Sequence, residues 1–184
     1  MVQIRQTKSK QQIKHAITKL LQQKPFEEVT VTEICQTAEL NRGTFYHHYE
    51  DKYDLMDKLK QDTLYHIYQF VKDTPTEQIH DLIYQILIEA NAEFDFIQVL
   101  YTVPYVNFET AVHKLIGILL QENSEDIEEI VEQYKNIPAK YAIQAYSGAI
   151  SNVIKQWVLN GGEESPEEMT EIIYKVAFFG TREL

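Results

Sequence analysis

The chain has 184 residues, of which 44% are apolar, and this is enough to bury the core of one large domain or two small ones. Its single cysteine, Cys35, excludes an internal disulfide, and its place on an apolar stripe is typical of a buried thiol. No apolar run reaches the roughly 18 residues that a membrane-spanning helix needs, and the amino terminus lacks a signal-peptide pattern. We therefore expect a cytoplasmic protein with no membrane partner.

The formal net charge is −11, but it is unevenly distributed along the chain. Residues 1–60 carry ten Lys and Arg against eight Asp and Glu, whereas residues 61–184 carry seven against twenty. Every basic residue before residue 25 precedes the first acidic one. Such a chain could simply expose solvated basic helix faces, but a basic end on an acidic body also suits a protein that binds a polyanion with one end only.

The first predicted element is an amphipathic helix that begins near residue 8 and ends before Pro25. A shorter helix follows from Val31, because Thr30 and Glu33 have the spacing of a capping box. A third begins at Arg42 and ends near His48, with Asn41 as its amino-terminal cap. Two short helices joined by a tight turn have the layout of a helix-turn-helix.

The third predicted helix carries side chains suited to DNA. Arg42 can form a forked pair with guanine or a phosphate, and Gly43 lets the first turn approach the groove closely. Hydroxyl and imidazole groups can donate to phosphate oxygens, and they come from Thr44, Tyr46 and His48. Lys52 opens the next helix, where the helix dipole also attracts phosphate.

From Lys52 onwards the apolar period is helical throughout. A long helix should extend from Lys52 to about Asp73. The later predicted helices span 76–92, 95–103, 107–121, 126–134 and 137–159, and a last one begins at Pro166. We count about nine helices and no convincing strand, so the predicted fold is all-α, with a helix-turn-helix DNA-binding domain over 1–51 and a second helical domain over 52–184.

The segments Thr30–Ile34, Gly43–Tyr49 and Asp51–Leu55, with Ala38 between them, resemble the DNA-binding domain of the TetR/AcrR family of bacterial transcriptional regulators. The resemblance implies contacts with operator DNA from Thr32, Asn41, Arg42, Gly43, Thr44, Tyr46, His47, His48 and Lys52. Glu39 stands where the family usually has glycine, so either it adopts a positive φ or the turn differs. Tyr49 replaces the commoner phenylalanine.

The two carboxy-terminal helices are predicted to form a homodimer interface. Small residues recur at helical spacing on one of them, and the other offers an apolar face; the alternative is that both only close the core of one chain. The predicted interface residues are Ala142, Ala145, Tyr146, Ala149, Val153, Ile172, Ile173 and Val176. A dimer also suits a palindromic double-stranded operator, because one short recognition helix reads only a few base pairs.

The middle of the chain is rich in aromatic residues, which could enclose a small, partly apolar effector or could be ordinary core. The predicted effector-binding residues are Tyr84, Phe94, Phe96, Tyr101, Tyr105, Phe108, His113, Tyr141 and Trp157. Glu93 and Asp95 are further polar candidates, and an acidic lining would favour a cationic ligand.

The resemblance to TetR/AcrR regulators implies that residues 52–184 form an effector-binding and dimerisation domain. It also implies a repressor that a small-molecule effector releases from its operator. The alternative is a regulator of the same family without such a ligand, which activates transcription or is controlled by a protein partner. The sequence contains no nucleophile elbow, phosphate-binding loop or zinc-protease motif, so we expect no enzyme activity, no cofactor and no metal site.

Overall fold

The computed structural model describes residues 2–74, 79–122 and 137–178, and within them the chain forms nine α-helices and no strand. The helices are α1 Val2–Leu21, α2 Val31–Thr37, α3 Arg42–His48, α4 Lys52–Asp73, α5 Ile79–Ala92, α6 Phe94–Thr102, α7 Phe108–Glu122, α8 Ala139–Leu159 and α9 Pro166–Phe178. Two 3-10 turns, η1 Phe26–Glu28 and η2 Pro104–Val106, complete the described elements. The all-α prediction is confirmed, and the predicted helix over 126–134 lies outside the described residues.

We call α1–α3 the head and α5–α9 the body. The head packs around fully buried Ile13, Ile17, Ile34 and Phe45. The predicted capping box is present at the start of α2: the Thr30 hydroxyl accepts from the Glu33 amide, and the Glu33 carboxylate accepts from the Thr30 amide. The Lys24 ammonium, 2.6 Å from the Glu33 carboxylate, and the hydrogen bonds from Thr30 lower the pKa of Glu33 to about 2.

The turn between α2 and α3 resolves the question raised by Glu39. Glu39 has a φ of 54°, the conformation that glycine adopts most easily. The Leu40 amide donates to the Cys35 carbonyl at 2.9 Å, and the Glu39 amide donates to the Gln36 carbonyl at 3.1 Å. This is a Schellman motif with a glutamate at its left-handed position, so the turn keeps the glycine geometry without the glycine.

The end of α8 repeats this motif with glycine. Gly161 has a φ of 86°, and the amides of Gly161 and Gly162 donate to the carbonyls of Val158 and Trp157 at 3.2 and 3.0 Å. Gly162 has a φ of 68°, and a methyl group on it would lie 2.7 Å from the Phe94 ring. The chain can therefore leave α8 close to α6 only because residue 162 lacks a side chain.

Helix α4 belongs to both halves of the molecule. Its amino end is capped by Asp51, whose carboxylate accepts from the amides of Tyr53 and Asp54 at 2.8 Å each. Leu55 and Met56 lie fully buried in the same apolar cluster as the head and the body. One apolar cluster therefore continues across the predicted domain boundary after residue 51.

The body is a bundle in which α7 packs along α8, α9 packs along α5, and α6 lies between α1 and α8. The Lys14 ammonium on α1 lies 2.6 Å from the carboxylate of Glu93, the residue that precedes α6. None of the helices in the described ranges is both long enough and apolar enough to cross a membrane.

We predict that Glu39→Gly stabilises the protein relative to Glu39→Ala by about 1 kcal/mol, because a residue with a Cβ pays a steric cost in the left-handed region. Glu39 is exposed, so few other contacts change in either variant. Urea denaturation of the two variants measures the difference, and equal free energies of unfolding would contradict the assigned motif.

We also predict that Gly162→Ala destabilises the protein by about 1–3 kcal/mol more than Gly161→Ala. Both positions have a positive φ, but only the methyl group at residue 162 would overlap the Phe94 ring, whereas nothing lies within 4 Å at residue 161. Thermal and urea unfolding give the free energies of unfolding of the two variants, and their difference is the cost of the overlap with the Phe94 ring. Similar losses in both variants would show that Phe94 moves aside freely.

Candidate DNA-binding surface and ligand cavity

Helix α3 is fixed in the head by its two ends and by one aromatic side chain. Phe45 is fully buried, and Tyr49 directly after the helix is buried as well, which raises the pKa of the Tyr49 hydroxyl to about 12. At the amino end, the Asn41 side-chain oxygen accepts from the Thr44 amide at 2.8 Å. These contacts determine which face of α3 meets solvent.

Five of the predicted DNA-contact residues are exposed on α3 and its cap: Asn41, Arg42, Gly43, Tyr46 and His47. Tyr46 exposes 54% of its surface, which is unusual for a tyrosine beside a packed core. Arg42 donates a hydrogen bond to the Thr32 hydroxyl at the start of α2, so side chains of α2 and α3 meet at one surface. Thr44 is half-buried, and its hydroxyl lies 3.1 Å from the Asn41 side-chain oxygen.

His48 does not face outwards as the sequence indicated. Its Nε2 lies 2.8 Å from the Ser9 hydroxyl of α1, and the ring is half-buried. Burial, and then the neighbouring His47 and Lys10, lower the pKa of His48. His48 therefore connects α3 to α1 as a neutral ring, because the end of α3 turns this side chain towards the core of the head.

Lys52 also has other partners than the predicted phosphate. Its ammonium donates to the carbonyls of Phe26, Glu27 and Val29 at 2.8, 3.0 and 2.9 Å. It lies 4.7 Å from the centre of the Phe26 ring. Since an ammonium has three hydrogens, these carbonyls satisfy it fully. Lys52 attaches the start of α4 to η1.

A partly open cavity of about 170 Å³ lies in the body between α4, α5, α6, α7, α8 and α9. Four predicted effector residues line it: Phe94, Tyr101, Phe108 and Trp157. The rest of the described wall is almost entirely aliphatic, and none of the described lining residues is charged. These residues therefore provide no acidic lining that would favour a cationic ligand.

Three predicted effector residues, Tyr84, Tyr105 and Tyr141, lie outside this cavity because the helical period turns them towards solvent. Tyr141, the most exposed of them, shows 57% of its surface. Asp95 is exposed too, and Glu93 is paired with Lys14 of the head. These positions are corrections to the sequence-based assignment.

Two further predicted effector residues, Phe96 and His113, are enclosed elsewhere. Phe96 is buried, with the Lys14 ammonium 4.4 Å from the centre of its ring, so it belongs to the contact between α6 and α1. His113 lies against α8, where a methyl group on Gly148 would lie 3.9 Å from its ring. Neither side chain lines the cavity.

The sequence did not single out the aliphatic wall, because aliphatic residues at helical spacing are also the pattern of an ordinary core. The missed residues include Ile67 and Val71 of α4, Ile86 of α5, Ile116 of α7 and Ile154 of α8. Each lies on the apolar stripe of its helix, so the periodicity that predicted the helices could also have pointed to them.

The described wall of the cavity contains three side chains with a polar group, Tyr101, Tyr146 and Trp157, and their hydrogen bonding differs. The indole nitrogen of Trp157 donates to the Glu164 carbonyl at 2.9 Å. The hydroxyl oxygen of Tyr101 is buried and has no hydrogen-bond partner in the described part of the chain. Burial, and then the carboxylate of Glu109, raise the pKa of Tyr101 well above its usual range.

Beside the cavity lies an open groove of about 430 Å³ between α4, α5 and α6. Its polar residues are Thr63, His66, Glu89 and Glu93. Four residues line both spaces: Ile67, Ile86, Ala90 and Ile97. The cavity and the groove therefore adjoin each other along these four apolar residues.

The predicted dimer residues divide into two groups. Ala145, Ala149, Ile172 and Val176 are exposed on the outer face of α8 and α9, and Val153 is half-buried. Ala142, Tyr146 and Ile173 are buried within the chain's own core, and Tyr146 and Ile173 line the cavity. The second group is a correction: those three side chains face inwards and cannot contact a partner without a rearrangement of the bundle.

Comparison with known proteins agrees with this architecture. Residues 13–59 match the family model described as bacterial regulatory proteins of the tetR family, and residues 77–178 match the model of a transcriptional regulator carboxy-terminal region. The HTH-type transcriptional regulator YxbF of Bacillus subtilis (strain 168) is 33% identical over 51 residues, which are 28% of this chain and 13% of that protein.

Two solved structures share the fold over almost their whole length. The fatty acid degradation regulator FadR of Bacillus halodurans has a TM-score of 0.72 and 15% identity, with 96% of this chain and 97% of that chain covered. The dihydroxyacetone kinase operon activator DhaS has a TM-score of 0.67 and 18% identity, with 93% and 94% covered. The two family models include the helix-turn-helix and most of the body, and the chain therefore belongs to the TetR family of transcriptional regulators.

Proposed function

We propose that this regulator is a homodimeric repressor that leaves a palindromic operator when a small apolar molecule occupies the cavity of its body. The observation that carries the proposal is the double role of α4. Its first residue, Lys52, is attached to the head by three hydrogen bonds, while Ile67 and Val71 of the same helix form part of the cavity wall. A ligand that moves α4 therefore moves the head.

DNA recognition comes from the surface that α2 and α3 share. Arg42 can exchange the Thr32 hydroxyl for guanine or a phosphate, and the exposed Tyr46 hydroxyl can donate to a phosphate. Asn41, Gly43, Thr44 and His47 complete the proposed contact surface. His48 and Lys52 support it from behind, because their polar groups are bonded within the protein.

A second copy of the chain supplies the second head. The exposed residues Ala145, Ala149, Ile172 and Val176 give α8 and α9 an outer face with small and apolar side chains. Two heads separated by about 34–36 Å can enter successive major grooves of a palindrome. A change in this separation prevents both from binding at once.

Two further contacts connect the cavity region to the head. The Tyr105 ring of η2, which follows α6, stacks on Phe26 with their centres 6.0 Å apart. Its hydroxyl donates to the Asp57 carboxylate on α4 at 2.9 Å. At the other end of α6, Glu93 binds Lys14 of α1. A shift of α6 is therefore transmitted to the head from both ends of α6.

Activation is the second candidate for the regulatory output, and the similarity to the operon activator DhaS favours it. The effect of a bound regulator on transcription depends on where its operator lies. A ligand shifts the equilibrium only if it binds the two conformations with different affinity.

We predict that Arg42→Ala weakens binding to a selected operator by about 10- to 100-fold and relaxes base preference, because a forked base contact is lost. Tyr46→Phe should weaken binding to all sequences by about fivefold, because one phosphate contact is lost. Tyr65→Phe removes a hydroxyl from the exposed face of α4 and serves as the control. Fluorescence anisotropy at fixed salt measures all three, and unchanged binding for Arg42→Ala and Tyr46→Phe would refute the proposed surface.

We predict that filling the cavity from within imitates the ligand. Ile116→Phe enlarges a residue of the cavity wall, whereas Ile118→Phe makes the same change at an exposed position of α7. Ile116→Phe should lower operator affinity by at least about tenfold, since a filled cavity favours the released state. Circular dichroism verifies that both variants fold.

The control Ile118→Phe should bind the operator like the unaltered protein. Unchanged affinity of a folded Ile116→Phe would refute the coupling between cavity and head. Tighter binding would instead identify a regulator that binds DNA when its cavity is filled.

A further inference from the structure

We propose that the ligand of the cavity is an uncharged, mainly apolar molecule with one oxygen that accepts a hydrogen bond from the Tyr101 hydroxyl. This inference rests on the proposed function and specifies the chemical class of the effector. It makes Tyr101 the residue that distinguishes such a molecule from a hydrocarbon of the same shape.

The charge of the ligand follows from the wall. None of the described residues that line the cavity carries a charge, so a carboxylate or an ammonium group would lose its hydration without gaining a partner among them. The adjoining groove carries Glu89, whose carboxylate also disfavours the approach of an anion, whereas Glu93 is paired with Lys14. A neutral molecule avoids both costs.

The oxygen follows from Tyr101. A buried hydroxyl without a hydrogen bond destabilises a protein, and native structures rarely retain one. Tyr101 lines the cavity, and its hydroxyl oxygen is buried without a partner in the described residues. Its ring packs edge-on against Phe108, with their centres 5.0 Å apart. A ligand oxygen brought against it, once the ring turns the hydroxyl into the cavity, would give the hydroxyl the acceptor that it lacks.

The other polar groups of the wall do not compete for this role. The indole nitrogen of Trp157 is already bonded to the Glu164 carbonyl. Tyr146, which also lines the cavity, has an interaction of its own within the protein. The site thus combines a large apolar contact with one hydrogen bond, which is the usual arrangement for an oriented small ligand.

Three probes of nearly the same shape test the inference: acetophenone, ethylbenzene and benzoate. Acetophenone has a carbonyl oxygen, ethylbenzene has a methylene group in its place, and benzoate carries a charge. Their dissociation constants are measured by NMR titration with the unaltered protein, with Tyr101→Phe, and with Tyr65→Phe as a control for the loss of an exposed tyrosine hydroxyl.

Tyr101→Phe should weaken acetophenone binding by about five- to tenfold and leave ethylbenzene binding unchanged, since only acetophenone can accept the hydrogen bond. Tyr65→Phe should change neither. Equal effects of Tyr101→Phe on both probes would overturn the inference, and so would benzoate binding as tight as that of acetophenone. Failure of acetophenone and ethylbenzene to bind at millimolar concentration would overturn it as well.

The free protein provides a second measurement. If the hydroxyl is unpaired without ligand, Tyr101→Phe should melt at the same temperature or a higher one, and a clear decrease would overturn the inference. The cavity-filling variant Ile116→Phe tests the proposed release from DNA without any probe. A failure of the Tyr101 inference can therefore be told apart from a failure of the proposed function.

Discussion

The attachment of α4 to the head is the constraint on which the rest of the structure depends. The Lys52 ammonium donates to three carbonyls in and just after η1, those of Phe26, Glu27 and Val29. Phe26, Tyr53 and Tyr105 pack around this point, and their ring centres lie 5.1–6.0 Å apart. Because the head is fixed on the first turn of a 22-residue helix, its orientation is determined by how that helix packs in the body. A site 15 or more residues further along α4 can thus control the head without touching it.

The geometry of the head could be predicted from the sequence because its signals are local. Thr30 and Glu33 lie three residues apart, and Asn41 lies three residues before the amide that it caps, so chain connectivity alone places each pair in reach. Glu39 shows the limit of such signals. The backbone hydrogen bonds that close the turn between Cys35 and Leu40 impose a positive φ on Glu39. A residue with a Cβ does not favour that conformation by itself. The internal contacts of His48 and Lys52 could not be predicted because their partners, Ser9 and the carbonyls in and after η1, are more than 20 residues away.

The cavity and the interface could be predicted only in part, because residue type does not determine which way a side chain faces. Tyr141 and Tyr146 are both aromatic residues of α8, yet the first is exposed and the second lines the cavity. Ala142 and Ala145 have the same side chain, but only Ala145 is exposed. The positions differ by the rotation of one helix about its axis, which packing against α6 and α7 sets. Tertiary contacts therefore decide between core, cavity and interface where composition and periodicity cannot.

An apolar cavity of this size can supply the energy for switching. Empty space in a protein core costs about 24 cal/mol per Å³, so a cavity of about 170 Å³ corresponds to about 4 kcal/mol when it is empty. A ligand that fills it in one conformation but not in the other can gain a large part of that amount. Moving an equilibrium from 1:99 to 99:1 needs about 5.5 kcal/mol. A small neutral molecule that combines the apolar contact with one hydrogen bond from Tyr101 comes close to this free energy. The same hydrogen bond gives selectivity, because an apolar wall alone distinguishes poorly between molecules of similar shape.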